Sequence, residues 1–240
     1  TPVTKNNFTW SSNFNISFNR NRVENLGGLT QVIRNSNSVT QNDFLVKVGE
    51  PVGLIYGFVS DGFYKVEDFD YNPTTQTYTL KPGVPVMTVN VSSPLRPGHM
   101  RWKDIGGGPD GKPDGKIDIN DRTVIGNANP DFIGGWNNQF TYKNFDMSVF
   151  VNFVVGNDIY NGNKLEWVRS SSSADVNMLS IMKDRFTYIN AQGQRVTDPT
   201  ELAALNVNAK IWTPDRNGGT NAYAYSWAVE DGSYLRINNI

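Results

Sequence analysis

Four carboxylates stand close together between residues 110 and 121, at the spacing of a calcium-binding loop. Such a loop takes oxygen ligands from its positions 1, 3, 5, 7, 9 and 12, with the seventh supplied by a backbone carbonyl and a glycine at position 6. Counted from Asp110 at position 1, Gly115 falls at position 6. The spacing predicts a calcium loop whose other ligands are Asp114, Lys116 through its carbonyl, Asp118 and Asp121.

This loop departs from the calcium pattern at two positions. Lys112 occupies position 3 and cannot ligate a cation, and position 12 is Asp121 where glutamate is usual. Asp104 supplies the missing oxygen if the glycine run 106–108 loops out. A metal-free alternative is a cluster of hydrogen-bonded Asx turns that shapes the segment. Both interpretations of residues 104–121 stay open.

The residue types for catalysis are sparse. His99 is the only histidine, and its proline-bounded loop predicts a surface position. The sequence contains neither a Gly-x-Ser-x-Gly elbow nor a zinc-type pair of histidines. Its 22 basic and 23 acidic residues give a net charge of −1, which offers no broad surface for nucleic acid. We therefore expect neither an enzyme nor a nucleic-acid-binding protein.

Two segments predict the strands that position these groups. In the first, residues 8–19, the apolar side chains share one parity and polar side chains the other, so a strand would have one apolar and one polar face. The second, residues 136–153, alternates in the same way around a tight turn at Lys143–Asn144. The apolar set of the first strand is Phe8, Trp10, Phe14, Ile16 and Phe18.

These strands predict an all-β, antiparallel transmembrane β-barrel segment. Only every second residue of such a wall faces lipid, so a mean hydropathy of −0.46 is compatible with it. One connection is tight, whereas residues 59–131 and 156–225 form long loops with a possible short helix at 175–186. Barrels of this class have short periplasmic turns and long extracellular loops, which places Lys143–Asn144 on the periplasmic side. A strand of a soluble sandwich is the alternative on pattern alone.

Several motifs in order resemble the C-terminal barrel region of SusC/RagA-like TonB-dependent outer-membrane transporters of Bacteroidetes. The resemblance covers nearly the whole chain and is carried by residues 8–19, 51–58, 114–130, 142–150, 156–161 and 229–240. It implies that residues 1–240 are the C-terminal part of a barrel in the bacterial outer membrane, in contact with its lipid. A closed barrel of about 22 strands needs several hundred residues, so we expect the plug and the TonB-contacting segment to lie outside this sequence.

The resemblance also implies a function. Members of the family import oligosaccharides or peptides with energy relayed by TonB, usually beneath a SusD-like surface lipoprotein. Aromatic faces stack on sugars and pack on peptides, although they also fold loops or line the membrane interface. A soluble, secreted, calcium-stabilised adhesion or carbohydrate-binding β-domain is the second hypothesis. The predicted substrate contacts are Trp167, Trp212, Tyr223, Tyr225 and Trp227.

Overall fold

The computed structural model describes residues 2–35, 43–89, 94–168, 177–214 and 223–240, and shows a protein made mainly of β-strands. In those ranges no helix has the length and apolar character needed to cross a bilayer. The α-helices are α1 (Gly162–Glu166) and α2 (Pro199–Leu205), and 3-10 segments lie at Val66–Asp68, Pro109–Gly111, Ile119–Asp121, Ser180–Asp184 and Ser226–Ala228. The strands are β1 (Val3–Lys5), β2 (Phe8–Ser17), β3 (Gln31–Arg34), β4 (Phe44–Lys47), β5 (Leu54–Gly57), β6 (Ser60–Phe63), β7 (Phe69–Asn72), β8 (Thr77–Leu80), β9 (Val86–Met87), β10 (Met100–Trp102), β11 (Lys116–Ile117), β12 (Thr123–Asn127), β13 (Phe132–Tyr142), β14 (Phe145–Val155), β15 (Asp158–Tyr160), β16 (Val229–Asp231) and β17 (Tyr234–Asn239).

The longest strands form one antiparallel sheet, the wall sheet, in the order β1-β2-β13-β14-β17. Strands β13 and β14 pair without interruption down to Tyr142 opposite Phe145. The two residues between them are the predicted turn, and Lys143 there adopts a left-handed φ of 55°, as tight hairpin turns require. The predicted hairpin is therefore confirmed.

The wall sheet has the predicted apolar and polar faces. On the apolar face Trp10 stacks on Phe140 with ring centroids 6.1 Å apart, and Phe14 stacks on Phe153 at 5.9 Å. Much of this face is bare, since Phe14 is 59% exposed. In a membrane barrel hydrocarbon covers such a face. The two-faced antiparallel strands confirm the predicted fold class, a segment of a transmembrane barrel, and within the described residues the sheet does not close on itself.

Two polar side chains on the apolar face are paired with indoles. Trp10 Nε1 donates to Asn138 Oδ1 at 3.1 Å, and Trp136 Nε1 donates to Ser12 Oγ at 2.7 Å. Unpaired polar groups facing hydrocarbon cost several kcal/mol. These bonds let asparagine and serine stand among apolar neighbours.

The connections between wall strands differ at the two ends of the sheet. At one end the β1–β2 turn and the β13–β14 turn lie side by side, and the Lys143 amide donates to the Asn7 carbonyl at 3.1 Å. From the other end residues 18–131 run between β2 and β13, and residues 156–233 run between β14 and β17. The predicted asymmetry of short and long connections is present; which end is periplasmic stays a prediction.

Both long connections contribute to a single hydrophobic core, and we refer to residues 58–117 and 160–228 together as the loop module. The prediction that residues 59–131 are loop-dominated is wrong in this respect, because the segment carries short strands and a buried aromatic core. The buried residues of this segment are spaced with neither the period of 2 of a strand nor the period of 3.6 of a helix, so the sequence shows no hydrophobic periodicity there. The predicted helix at 175–186 is a 3-10 segment at Ser180–Asp184 in the part that the structure describes. The largest fully buried side chains of this core include Phe58, Tyr64, Trp102, Phe186 and Tyr225.

Candidate functional site

Asp121 is the centre of the acidic loop. Its side chain is fully buried, and its Oδ1 accepts hydrogen bonds from the amides of Ile105 at 2.7 Å and Gly106 at 2.9 Å. Its Oδ2 accepts from the amide of Asp118 at 2.7 Å. The close approach needs glycine, since a Cβ on Gly106 would stand 2.6 Å from the Asn120 carbonyl oxygen. Backbone donors thus compensate the burial of this carboxylate.

The other carboxylates of the loop also accept backbone amides. Asp104 accepts from Asp114 at 3.2 Å and from Gly115 at 2.7 Å. Asp114 Oδ1 accepts from Lys116 at 2.9 Å, and Asp118 Oδ1 accepts from Asn120 at 2.7 Å. The bonds accepted by Asp114 and Asp118 are those of Asx turns, whereas Asp104 accepts amides ten and eleven residues away.

This geometry does not bring the predicted calcium ligands together around one position. Asp110 lies in an exposed turn with a φ of 60°. In the described ranges no three histidine, aspartate or glutamate side chains form a group that would hold a metal ion. The bonds of the metal-free alternative are present, and calcium binding by Asp104, Asp110, Asp114, Lys116, Asp118 and Asp121 stays a prediction.

Two of the five predicted aromatic contacts belong to the core. Trp212 and Tyr225 are buried, with ring centroids 5.7 Å apart. Both therefore support the core of the module, and in this structure their burial leaves no exposed ring face for the predicted contact with substrate. Tyr223 is half-buried, with its ring 5.6 Å from the Phe58 ring and 5.6 Å from the Arg122 guanidinium carbon.

The remaining two, Trp167 and Trp227, line one surface cavity of about 350 Å³, the tryptophan cavity. Trp167 is 40% exposed, and Trp227 packs edge-on against Trp212 at 5.1 Å. A rigid aromatic wall beside polar groups is typical of ligand sites. The cavity is completed by Asn161, Asn163, Lys164, Leu179, Ser180, Ile181 and Glu230.

A linked set of polar side chains forms one side of the tryptophan cavity. Lys164 Nζ lies 3.2 Å from Glu230 Oε1, donates to the Trp227 carbonyl at 2.8 Å and stands 4.3 Å from the Trp227 ring centroid. Asn161 Nδ2 donates to Glu230 Oε2 at 2.9 Å. Hydrogen bonds from Asn161 and then Lys164 hold the pKa of the Glu230 carboxyl below its usual value. The cavity therefore offers a charged acceptor, an amide and an aromatic face to a polar ligand.

Sequence reasoning did not assign Lys164, Asn161 or Glu230 to a binding site. Glu230 reaches Asn161 because β15 pairs with β16, which sets Ile159 opposite Glu230. Nothing local in the sequence reports that pairing. The tryptophans were found because large aromatic residues are conspicuous in polar segments.

His99 is buried, so its predicted surface position is wrong. It is 1% exposed, and its Nε2 accepts a hydrogen bond from Arg96 Nε at 3.1 Å, which assigns the ring proton to Nδ1 in the neutral form. Burial, with a smaller contribution from the Arg96 charge, lowers the pKa of His99 to about 4. The ring is a structural neutral imidazole at physiological pH.

We expect the loop module to lose stability as the pH falls from about 6.5 to about 4 because of His99. The unfolded chain takes up the proton near its ordinary pKa of 6.5 and the folded chain only near a pKa of about 4. The contribution of His99 to the free energy of unfolding is therefore complete above pH 6.5. As the pH falls from 6.5 to about 4, the free energy of unfolding decreases by roughly 3 kcal/mol, at about 1.36 kcal/mol per unit of pKa.

Hydrogen exchange of the Tyr64 and Gly98 amides in the full-length protein, corrected for intrinsic rates, measures this loss. Both amides border His99, since the Tyr64 amide donates to the His99 carbonyl and the Gly98 amide to the Tyr64 carbonyl, each at 2.8 Å. In His99→Gln the free energy of unfolding from hydrogen exchange should depend less on pH between about 4 and 6.5. If it falls as steeply in the variant as in the wild type, the loss comes from carboxyl groups and not from His99.

No family model matches the chain. It is 28% identical to TonB-dependent receptor P3 of Formosa agariphila over 99% of its own length and 20% of the relative's. It is 32% identical to TonB-dependent receptor P39 of the same organism over 66% of its own length and 16% of the relative's. The chain is therefore similar in sequence to part of several TonB-dependent receptors. It spans a fifth or less of the length of these two relatives.

Solved structures share the fold of this chain. A structure of the RagAB peptide transporter matches 98% of the chain and 21% of its own with a TM-score of 0.62 at 14% identity. The RagAB peptide importer in a "closed-closed" state matches with a TM-score of 0.63. The predicted resemblance to SusC/RagA-like transporters and the predicted location in the bacterial outer membrane are confirmed.

Proposed function

We propose that the protein containing this chain imports oligosaccharides or peptides across the outer membrane and is not an enzyme. One observation carries the proposal: the wall sheet has an exposed apolar face, and the folded loop module is connected to one end of this sheet. The wall would separate hydrocarbon from a polar lumen. The loop module would receive the substrate before it passes through.

The whole importer would draw energy from TonB through a segment outside these residues and would work beneath a SusD-like surface lipoprotein. Support for this comes from relatives that are named TonB-dependent receptors and from the shared fold with a peptide transporter. The loop module would face that lipoprotein, with residues 156–225 on the extracellular side. Calcium in the acidic loop, if bound there, would stiffen residues 104–121.

Within the loop module we assign the first contact with substrate to the tryptophan cavity. Trp167 and Trp227 would stack on a sugar ring or an apolar side chain, because aromatic faces bind both. Glu230, held in its charged form by Asn161 and Lys164, would accept hydrogen bonds from hydroxyl or amide groups. Tyr223 would contribute beside Arg122, whose guanidinium carbon lies 5.6 Å from its ring.

Deletion of the full-length gene tests the proposal. Growth on either oligosaccharides or peptides as sole carbon source should be lost, and the wild-type gene should restore it only with its TonB-contacting segment intact. In the restored strain Trp167→Ala should raise the half-saturating substrate concentration about tenfold or more, the loss expected when an interface tryptophan is truncated.

Ile189→Ala is the matched control, since Ile189 is an exposed apolar residue of the same module outside the tryptophan cavity. It should leave uptake unchanged. Normal growth of the deletion strain on both substrate classes would contradict import. A product that is monodisperse in water without detergent would favour the soluble adhesion or carbohydrate-binding domain.

A further inference from the structure

A second cavity of about 270 Å³, the arginine cavity, lies in the loop module and shares no residue with the tryptophan cavity or the acidic loop. Strand β8 and residues 94–96 form one part of its lining, and residues 188–197 form the rest. Among the residues that the structure describes, the lining contains two arginines and no acidic residue. It consists of Gln76, Thr77, Tyr78, Pro94, Leu95, Arg96, Tyr188, Arg195 and Thr197.

Both guanidinium groups of the arginine cavity are held against one ring. The guanidinium carbon of Arg96 lies 5.3 Å from the centroid of Tyr188, and that of Arg195 lies 5.5 Å from it. The Tyr188 hydroxyl donates to the Pro97 carbonyl at 2.8 Å, which fixes the ring. His99 further fixes Arg96 by accepting its Nε–H. The two positive charges are therefore positioned before any ligand arrives.

The carboxylate closest in sequence to the cavity is already engaged. Asp198 caps α2, and its Oδ1 accepts the amides of Thr200 at 2.9 Å and Glu201 at 3.1 Å. In the part of the chain that the structure describes, no carboxylate lies within ion-pair distance of Arg195. Arg195 therefore brings to the cavity a positive charge that has no carboxylate partner among the described residues.

We propose that the arginine cavity binds the carboxylate of a ligand's terminal residue. Planar guanidinium groups match a carboxylate with paired hydrogen bonds. Leu95 and Pro94 offer an apolar surface to the rest of that residue. The volume of about 270 Å³ lies just below the range of about 300–1,000 Å³ for ligand sites, so it suits one end group, either the C-terminal residue of a peptide or a terminal uronic acid. The proposal concerns binding alone and does not require that the ligand be the imported substrate.

Calorimetric titration of the full-length protein in detergent tests this inference with four probes. Two carry carboxylates, trialanine and trigalacturonic acid, and two are their neutral counterparts, trialanine amide and the trimethyl ester of trigalacturonic acid. At least one carboxylate probe should bind at least tenfold more tightly than its counterpart. The pair that shows the difference identifies the source of the carboxylate.

Arg195→Gln should weaken binding of that probe about 10- to 100-fold, the range for one charge-assisted contact. Arg195→Lys keeps the charge but loses the forked geometry of the guanidinium, so its affinity for the probe should fall less. This smaller loss would show that the weaker binding of Arg195→Gln is not caused by a folding defect. Arg34→Gln removes an equal charge from an exposed site on β3 and should change nothing. Failure of both carboxylate probes to bind, unchanged binding by Arg195→Gln, or an equal loss in Arg34→Gln would overturn the proposal.

Discussion

Replacing Trp102 by alanine is expected to open both long connections of the loop module together. Its ring is 1% exposed, stacks on Phe58 with centroids 4.0 Å apart, and lies 5.8 Å from Tyr225. Truncation of a buried ring of this size costs about 3–5 kcal/mol. Because Trp102 belongs to the first connection and Tyr225 to the second, the loss should spread to both.

Hydrogen exchange followed by mass spectrometry on the full-length protein measures this effect. Peptides around Tyr64 and around Phe186 should exchange faster by similar factors, while β13 and β14 should stay protected. Val207→Ala is the control, because Val207 is 77% exposed in the same module. Faster exchange confined to residues 58–117 would mean that the two connections fold independently.

Asp121→Asn should destabilise the acidic loop by about 3 kcal/mol or more, with or without calcium. The substitution keeps the size of the side chain but replaces one acceptor oxygen by a donor amide. Asp121 serves the amides of Ile105, Gly106 and Asp118. Each buried donor left without an acceptor costs about 1–3 kcal/mol, and a donor facing a donor adds repulsion.

Hydrogen exchange of the Ile105 and Gly106 amides measures this loss of stability directly. Asp110→Asn, at an exposed turn position, is the control and should have little effect on the metal-free loop. Unchanged protection in Asp121→Asn would refute the assigned hydrogen bonds.

The same experiment separates the two interpretations of the acidic loop. Asn replaces Asp in Asx turns without loss of the turn, so Asp114→Asn and Asp118→Asn should retain most of the metal-free stability. If the loop binds calcium, added calcium should slow exchange in the wild type and not in these two variants. Equal exchange rates with and without calcium in the wild type would favour the metal-free cluster.

Much of the wall sheet was predictable from residues close in sequence. A strand with one face toward lipid and one toward water must alternate in polarity with period 2. Residues 8–19 and 136–153 show that period, and the tight turn at Lys143–Asn144 fixes the register between β13 and β14. The local turns of the acidic loop were equally accessible, because their hydrogen bonds join residues two or three apart.

The loop module and its cavities were not predictable in this way. The residues of its core come from two connections separated by the β13–β14 hairpin, and their spacing follows no single period. Trp212 and Tyr225 look like surface binding residues in a polar stretch and are in fact core. The arginine cavity likewise joins β8, residues 94–96 and residues 188–197.

By itself, the sequence determined which segments alternate between lipid and water, where the hairpin turns and which carboxylates share a loop. Alternation and turn formation are set by neighbours along the chain. The tertiary structure alone decided that Asp121 and His99 are buried, that Glu230 meets Lys164, and that two arginines share one ring. Those outcomes depend on contacts between residues far apart in the chain, for which a single sequence carries no periodic signal.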